Sequence, residues 1–380
     1  MNEKITRFLT DHRPATPCLV IDIDVVEQNY KTLTESLQAA WVYYAVKANP
    51  APEILKRLVA LGSCFDTASV PEIEMVLAAG ARPNQISYGN TIKKQADIAR
   101  AYDLGVRLFA FDSDAELDKI AAAAPGSRVF CRLLTSNEGA EWPLSRKFGC
   151  DSEMAFSLLR SAPDKGVVPY GLSFHVGSQQ RYPNQWDTAI AAAASVFTAL
   201  QEVGVNLRMI NLGGGLPTRY RKDVPPVERY TQAIMASLSR HFGDLLPEIL
   251  IEPGRALVGS AGVIESEVVL ISKKSFHDSK RWVYLDIGKF GGLIETMDEA
   301  IHYEFTCDRI VGDQETNCEL SIIAGPTCDS TDVLYERTEY KLPIALQIGD
   351  HVRIHAAGAY TTTYASIGFN GFAPLTEYYI

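Results

Sequence analysis

The sequence lacks three features that would each point to a particular class of protein. No hydrophobic run approaches the roughly 20 residues of a membrane-spanning helix, and the N-terminus lacks the apolar core of a signal peptide. The seven cysteines are scattered, with no CxxC pair, and acidic residues outnumber basic ones, for a formal net charge of −10 over 380 residues. We therefore expect a soluble cytoplasmic protein with reduced thiols, no disulfide framework, no metal site, and neither membrane nor nucleic acid as a partner.

Short apolar runs alternate with helical patterns through the first two thirds of the chain. Eight such runs occur, at 41–46, 63–66, 85–89, 107–111, 128–133, 170–175, 208–212 and 248–252. Strands that alternate with helices pair in parallel through crossover connections. Eight of them within about 210 residues predict a closed (β/α)8 barrel of the TIM-barrel kind.

The pattern changes near residue 256. Segments such as GVIESEVVLIS and RWVYLDIG are rich in β-forming residues and have little helical periodicity between them. This is typical of a mostly antiparallel β domain, a barrel or sandwich. We predict a barrel domain at 25–256 and a β domain at 257–380, and we expect residues 1–24 to pair with the β domain.

Polar residues follow the apolar runs, where a barrel gathers its chemistry at the C-terminal ends of its strands. The clearest example is WVYYAVKANP (41–50), in which a strand delivers one lysine and cannot continue past the proline. An amine that is partly desolvated there can become a nucleophile or a Schiff-base partner. The residues that close the runs are Lys47, Asp66, Arg132, His175, Gly213 and Glu252.

Two of these strand ends carry features suited to a phosphate. Gly213, Gly214 and Gly215 let backbone N–H groups converge on an anion without interference from Cβ atoms. EPGR (252–255) places a carboxylate at a strand end and an arginine three residues later. A phosphate site, a reactive lysine and an acidic group for a ring nitrogen together suggest pyridoxal phosphate.

Two further segments of the predicted β domain contain candidate functional side chains. AGPTCDSTDVL (324–334) puts a cysteine beside an aspartate in a Gly/Pro turn, where a thiol is more exposed than in a core. GAYTTTYASIGFNGF (358–372) offers tyrosines, hydroxyl groups and phenylalanines among small residues.

Seven motifs in this order resemble the eukaryotic-type ornithine decarboxylases, which are fold-type III pyridoxal phosphate enzymes with an alanine-racemase-like barrel and a β domain. The motifs are YYAVKAN, FDTAS, HVGSQ, NLGGG, EPGR, GPTCDSTD and GAYT with FNGF. The resemblance extends over nearly the whole chain.

The resemblance implies a set of residues that bind pyridoxal 5′-phosphate. Lys47 would form the Schiff base, His175 would stack on the ring, and Glu252 would keep the ring nitrogen protonated. Asp66 and Arg132 would support the site around the lysine. The complete implied set is Lys47, Asp66, Arg132, His175, Ser178, Gly213, Gly214, Gly215, Glu252, Pro253, Gly254, Arg255 and Tyr360.

The resemblance also implies a homodimer with shared active sites. Cys328 and Asp329 would reach the site of the neighbouring subunit, where the cysteine protonates the substrate carbon and the aspartate binds the distal amine. Phe369 would line the substrate pocket across the same interface.

One stretch, 288–303, departs from the family pattern. It corresponds to the segment that gauges substrate length, and it contains three candidate carboxylates, Glu295, Asp298 and Glu299. Alignment without gaps from Phe290 places Asp298 and Glu299 on the family's acidic position. The sequence leaves open which of the three carboxylates binds the distal amine.

The resemblance predicts decarboxylation of a basic L-amino acid, L-ornithine to putrescine in polyamine biosynthesis, with L-lysine to cadaverine as an alternative. An amino-acid racemase on the same fold and a non-catalytic regulatory homologue are the rival hypotheses. The Cys-Asp turn favours a decarboxylase over the racemase. The chain keeps both the lysine and the cysteine that regulatory homologues tend to lose. Diaminopimelate decarboxylation is disfavoured because the gauging segment is acidic.

Overall fold

The structure is a computed structural model that describes residues 2–142, 147–307 and 317–380. The chain divides into two compact units. The β unit comprises Met1–Val26, Thr218–Asp223 and Val258–Ile380, and the barrel unit comprises Glu27–Pro217 and Val224–Leu257.

Thr218–Asp223 lies within the stretch that the sequence assigned to the barrel, yet it belongs to the β unit. The domain boundaries at residues 24 and 256 remain a prediction.

The strands are, in chain order, β1 (Cys18–Ile21), β2 (Ala40–Ala45), β3 (Cys64–Thr67), β4 (Ile86–Tyr88), β5 (Leu108–Phe111), β6 (Arg128–Arg132), β7 (Ala140–Trp142), β8 (Val168–Ser173), β9 (Ser178–Gln180), β10 (Met209–Asn211), β11 (Glu248–Ile251), β12 (Gly262–Ser272), β13 (Arg281–Leu285), β14 (Phe305–Cys307), β15 (Cys318–Ala324), β16 (Val333–Pro343), β17 (His351–His355) and β18 (Thr376–Tyr379).

The helices are α1 (Glu3–His12), α2 (Ile23–Ser36), α3 (Pro52–Ala60), α4 (Val70–Ala78), α5 (Gln95–Asp103), α6 (Asp114–Ala123), α7 (Ser152–Ser161), α8 (Gln185–Glu202), α9 (Val227–Phe242) and α10 (Arg255–Val258).

The barrel unit is built on eight parallel strands that close in the order β10-β11-β2-β3-β4-β5-β6-β8. The predicted (β/α)8 barrel is therefore confirmed, and its strands match the eight apolar runs of the sequence. All strands of a parallel barrel point the same way, so the residues that follow them meet at one end. Apolar side chains such as Tyr43, Leu108, Phe130 and Met209 pack together as a buried cluster.

Helices in the barrel unit begin where side chains can satisfy their first N–H groups. The Ser69 side chain accepts a hydrogen bond from the Glu72 N–H at the start of α4, and the Asp151 side chain accepts one from the Met154 N–H at the start of α7. Such caps replace the missing intrahelical partners. They fix where α4 and α7 begin.

The β unit contains an eight-stranded mixed sheet with the path β14-β17-β12-β13-β15-β16, to which β1 and β18 are added. Most neighbours are antiparallel, as expected, but β13 pairs in parallel with β15 and β1 in parallel with β18. The N-terminal strand β1 also pairs antiparallel with β12 and so belongs to this sheet. Among the described residues, no helix is both long and apolar enough to cross a bilayer.

Candidate active site

Lys47 lies immediately after a barrel strand. Strand β2 is followed by a 3-10 turn, Val46–Ala48, that carries the lysine. The Lys47 Nζ is 3.1 Å from Asp66 Oδ2, and the lysine side chain is 45% exposed whereas that of Asp66 is 5% exposed. A buried carboxylate therefore holds an amine that still reaches the open end of the barrel, as a reactive lysine requires.

Asp66 is held in turn by the neighbouring strand. The Ser87 hydroxyl donates to Asp66 Oδ1 at 3.2 Å, and a Cβ placed on Gly89 would lie 1.9 Å from the same oxygen. Only glycine allows this approach. The sequence analysis missed Ser87 and Gly89, although both stand at the end of a predicted strand, because their roles depend on the pairing of β3 with β4.

Glu252 follows β11 and shares the barrel end with Lys47. The Asn211 side-chain Nδ2 donates to Glu252 Oε1 at 2.5 Å, and the Asn211 side-chain Oδ1 accepts the Gly213 N–H at 2.9 Å. Burial, reinforced by the Asp66 carboxylate, raises the pKa of Glu252, against the opposing effects of Lys47, Asn211 and Arg132. A carboxylate with a raised proton affinity is suited to share a proton with a ring nitrogen. Asn211, like Ser87 and Gly89, was not predicted from the sequence.

Arg132 ends β6 and brings a second cation to the site. Burial lowers the pKa of its guanidinium, while Glu252 and Asp66 act in the opposite direction. The group stays charged, since an arginine pKa begins far above neutrality. Its guanidinium carbon lies 5.2 Å from the Phe148 ring centre. The site thus combines two basic side chains, Arg132 and Lys47, with two acidic ones, Asp66 and Glu252.

His175 follows β8 with its ring fixed by backbone groups. The Gly177 N–H donates to His175 Nδ1 at 3.0 Å, and the Thr135 hydroxyl donates to the His175 carbonyl oxygen at 2.7 Å. Burial, followed by the charges of Arg132 and Lys47, lowers the pKa of His175 well below its ordinary value. The imidazole is therefore neutral at physiological pH, and a neutral ring can stack on a flat cofactor.

The glycine run lies against the loop that carries His175. A Cβ on Gly213 would lie 2.0 Å from the Phe174 carbonyl oxygen, and one on Gly215 would lie 2.7 Å from the Gly177 carbonyl oxygen. Both glycines also have positive φ angles, 65° and 112°. No other residue fits here without displacing the backbone. The result is a concave stretch of main chain that can accept an anion.

A buried arginine lies close to this stretch. Arg255, at the start of α10, is 3% exposed, and its Nε and Nη2 lie 3.3 and 3.2 Å from Ser178 Oγ. The Pro253 carbonyl oxygen accepts the Ala45 N–H at 3.0 Å and ties this segment to the strand before Lys47, while the Gly254 carbonyl oxygen accepts the Leu257 N–H. The predicted barrel residues therefore meet at one end, and the glycine cradle, hydroxyl and arginine fit a phosphate group.

The remaining predicted residues lie in the β unit. Cys328 is exposed on its turn, with its N–H donating to the Asn370 side chain at 2.9 Å. Asp329 Oδ1 accepts from the hydroxyl and the N–H of Thr331, which lowers the pKa of Asp329. The ring of Phe369 lies 4.6 Å from that of Phe290. Both phenylalanines line a cavity of about 270 Å³ within this unit.

The gauging segment and Tyr360 also belong to the β unit. Asp298 is exposed, Glu295 is buried, and Glu299 accepts hydrogen bonds from the backbone of β16. Tyr360 has a φ of 57° and lies beside Tyr364. The predicted part of Tyr360 in the phosphate site remains a prediction.

Comparison with known proteins places these features in a family. Residues 23–259 match the pyridoxal-binding domain of the pyridoxal-dependent decarboxylases. The lysine/ornithine decarboxylase of Selenomonas ruminantium is 35% identical over 374 residues, 98% of this chain and 91% of that protein.

Solved structures agree with this match. The structure of SrLDC in complex with PLP and cadaverine has a TM-score of 0.87 at 34% identity, over 99% of this chain and 93% of that one. The arginine decarboxylase of Paramecium bursaria Chlorella virus has a TM-score of 0.90 at 29% identity, with both chains fully covered.

A barrel end that joins a lysine, an anion cradle and an acidic group defines a pyridoxal phosphate enzyme. This chain belongs to the pyridoxal-dependent decarboxylase family, in the branch whose members act on basic amino acids. Its cofactor is pyridoxal 5′-phosphate.

Replacing Gly213 with alanine tests the cradle. The new Cβ would collide with the Phe174 carbonyl oxygen. We expect the affinity for pyridoxal phosphate to fall at least about tenfold, since one hydrogen bond to a charged group is worth about 1.5–3 kcal/mol and tenfold corresponds to about 1.4 kcal/mol. The measurement is titration of cofactor-free protein, followed by absorbance. Gly204→Ala is the matched control, because Gly204 also has a positive φ, 85°, but has open space around it. Equal affinity in both variants would contradict the assignment.

Glu252→Gln tests the buried carboxylate through the pH dependence of stability. Burial raises the pKa of Glu252 above its ordinary 4.5. Protonated Glu252 therefore makes its full contribution to the free energy of unfolding below pH 4.5. This contribution is lost as the pH rises through the pKa of the folded state. In cofactor-free protein, we expect the melting temperature of Glu252→Gln to exceed that of the wild type by a margin that grows from about pH 5 to about pH 8.

The control is Glu53→Gln, at an exposed position of α3. It should follow the wild type at every pH. If the melting-temperature difference between Glu252→Gln and the wild type shrank as the pH rose, the prediction would be contradicted.

Proposed function

We propose that this protein decarboxylates L-ornithine to putrescine and accepts L-lysine as a second substrate. The observation that carries the proposal is the meeting of Lys47, Asp66, Glu252 and the Gly213 cradle at one end of the barrel in a chain of the decarboxylase family. When bound, pyridoxal phosphate supplies an aldehyde for amines and a ring that withdraws electrons from the substrate carbon.

The barrel residues would hold the cofactor from several sides. Lys47 binds the aldehyde, with Asp66 keeping its side chain oriented toward the open end. The N–H groups of Gly214 and Gly215, together with Ser178 and Arg255, would bind the phosphate. His175, neutral because of burial and neighbouring cations, packs on the ring face.

Glu252 would hold a proton at the ring nitrogen. Asn211 keeps the carboxylate in place, and the low-polarity surroundings make a shared proton more favourable there than in water. By holding that proton, Glu252 would strengthen the electron-withdrawing character that the ring supplies when the cofactor is bound. Arg132 would offset the negative charge of Asp66 and Glu252 when the lysine amine is displaced.

Two β-unit residues would complete the site of a second subunit in a homodimer. The Cys328 thiol donates a proton to the substrate carbon after CO2 departs. The Asp329 carboxylate binds the distal ammonium of the substrate, together with one carboxylate of the 295–299 segment. The exposure of the Cys328 turn within its own unit supports this role.

The choice between ornithine and lysine concerns a single methylene. The relatives bear the names of lysine/ornithine and arginine decarboxylases, so the family accepts distal cations of different reach. One methylene is worth only about 1–3 kcal/mol to a pocket. Activity on both substrates follows from this small difference.

Lys47→Ala tests the central residue. We expect the visible absorbance band of the lysine-bound cofactor to disappear and decarboxylation to fall to background, because the amine that Asp66 holds at the barrel end is gone. The control is Lys56→Ala, at an exposed position of α3, which should keep the band and the activity. An unchanged spectrum in Lys47→Ala would end this account of the site.

Side-by-side assays of CO2 release from L-ornithine, L-lysine and L-arginine at equal concentrations test the activity. We expect release from ornithine, slower release from lysine by no more than roughly 10–200-fold, and least from arginine. A chiral assay for D-ornithine runs on the same samples. D-amino acid without CO2 would favour the racemase, and neither product would favour a non-catalytic homologue.

A further inference from the structure

The β15–β16 ladder contains an irregularity opposite the gauging segment. Ser321 pairs with Tyr340, but the next partners along the ladder are Ile323 and Tyr335. Strand β16 therefore carries four residues, 336–339, between the two pairs where β15 carries one, which is a bulge with several extra residues. Backbone N–H groups in such a bulge have no partner on the neighbouring strand and need another acceptor.

Glu299 provides that acceptor. Its Oε1 accepts the N–H groups of Glu336 and Arg337 at 2.9 and 2.8 Å, and its Oε2 accepts the Thr338 N–H at 2.7 Å. The Arg337 Nε lies 3.6 Å from Oε1, and the Glu299 side chain is only 11% exposed. Both carboxylate oxygens of Glu299 are thus occupied by groups of its own unit.

The electrostatics of Glu299 agree with this arrangement. Burial acts to raise its pKa, but the hydrogen bonds from Thr338 and from the backbone of Glu336 and Arg337 outweigh burial and lower the pKa to about 2. The carboxylate is already stabilised as an anion without any ligand. A substrate ammonium would have to share it with three N–H donors or displace them, leaving those donors unpaired.

The backbone around Glu299 depends on the same contacts. Asp298 and Glu299 both have left-handed φ angles, 52° and 58°, and Met297 before them is extended. Two successive non-glycine residues in this region are strained and persist only where their surroundings hold them. The turn presents Asp298 to solvent, and among the described residues no hydrogen bond or ion pair engages the Asp298 carboxylate.

We propose that Glu299 is a positioning residue, which fixes the 294–299 turn on the bulge of β16, and that it does not bind the distal amine of the substrate. This inference rests on the proposed decarboxylation. It reduces the candidate carboxylates for the substrate ammonium in that segment from three to two, Glu295 and Asp298. Glu299 would act on substrate choice only through the turn that carries Asp298. The residue that gap-free alignment places on the family's acidic position therefore has a different task in this chain.

The test compares Glu299→Gln with Glu299→Ala in the holoenzyme. Glutamine keeps an acceptor oxygen for the N–H groups of Glu336 and Arg337 but carries no charge, whereas alanine removes both. If Glu299 positions the turn, KM for L-ornithine should rise no more than about threefold in Glu299→Gln and at least about tenfold in Glu299→Ala, with kcat changed less than KM. If Glu299 bound the ammonium directly, the neutral glutamine would raise KM as much as alanine does, which would overturn the proposal.

Thermal unfolding supplies a second readout that needs no activity. We expect Glu299→Ala to lower the melting temperature by at least about 2–4 °C, because three N–H groups lose their partner. Arg337→Ala is the control, since its side chain is 69% exposed and, among the described residues, its one polar contact is the 3.6 Å ion pair. It should leave melting temperature and KM near wild-type values.

The two possible failures can be told apart. An unchanged melting temperature in Glu299→Ala would contradict the positioning role, whatever the enzyme acts on. Wild-type protein that releases no CO2 from any basic amino acid would contradict the proposed function, while the melting comparison would still decide the part played by Glu299.

Discussion

The ion pair between Lys47 and Asp66 is the contact on which the rest of the site depends. The carboxylate is buried and the amine is nearly half exposed, so the pair anchors the lysine without hiding it. A buried carboxylate is costly unless it is paired and hydrogen-bonded. The Ser87 hydroxyl donates to the second carboxylate oxygen of Asp66, and Gly89 leaves room for that oxygen because it has no Cβ.

The same charge balance extends across the barrel end. Arg132 and Lys47 face Asp66 and Glu252, and these neighbouring charges, together with burial, shift the pKa values of Arg132 and Glu252. The charged groups therefore depend on their neighbours: removing Asp66, for example, would remove the 3.1 Å ion pair that holds Lys47. This mutual dependence is typical of active sites, where burial and neighbouring charges move pKa values toward the values that the chemistry needs.

Close backbone packing is the second constraint. The glycine run lies against the loop after β8, and it does so only because Gly213 and Gly215 carry no Cβ. The approach brings the loop that holds His175 and Ser178 into contact with the loop that follows Asn211. A phosphate site built from main-chain groups therefore requires glycine at these positions, because a Cβ would keep the two loops apart.

Much of the barrel could be predicted from sequence because its signals are local. Eight apolar runs separated by helical patterns predict a closed (β/α)8 barrel, and its parallel strands place their last residues at one end. Lys47, Asp66, Arg132, His175 and Glu252 were placed at the barrel end in this way, since each lies within two residues of the end of a strand. The mixed sheet of the β unit was predicted only in outline, because its parallel pairs join strands that are distant in the chain.

Other features could not be predicted because they arise from pairing between distant segments. Asn211, Ser87 and Gly89 matter through the register of neighbouring strands, which periodicity does not reveal. Glu299 illustrates the point most clearly. Alignment marks it as a residue for the substrate, but a bulge in β16, some 40 residues away in the chain, occupies both of its oxygens. The resemblance to a family identified the segment but not the task of each carboxylate within it.

The account's central claim is that the Lys47 amine binds the aldehyde of the cofactor. Borohydride reduction of the holoenzyme, followed by peptide mass spectrometry, tests this most directly, because reduction fixes the cofactor on the amine that holds it. The account predicts a phosphopyridoxyl group on the peptide that contains Lys47 and on no other lysine at comparable yield. A label on a different lysine, with the Lys47 peptide unmodified, would contradict it.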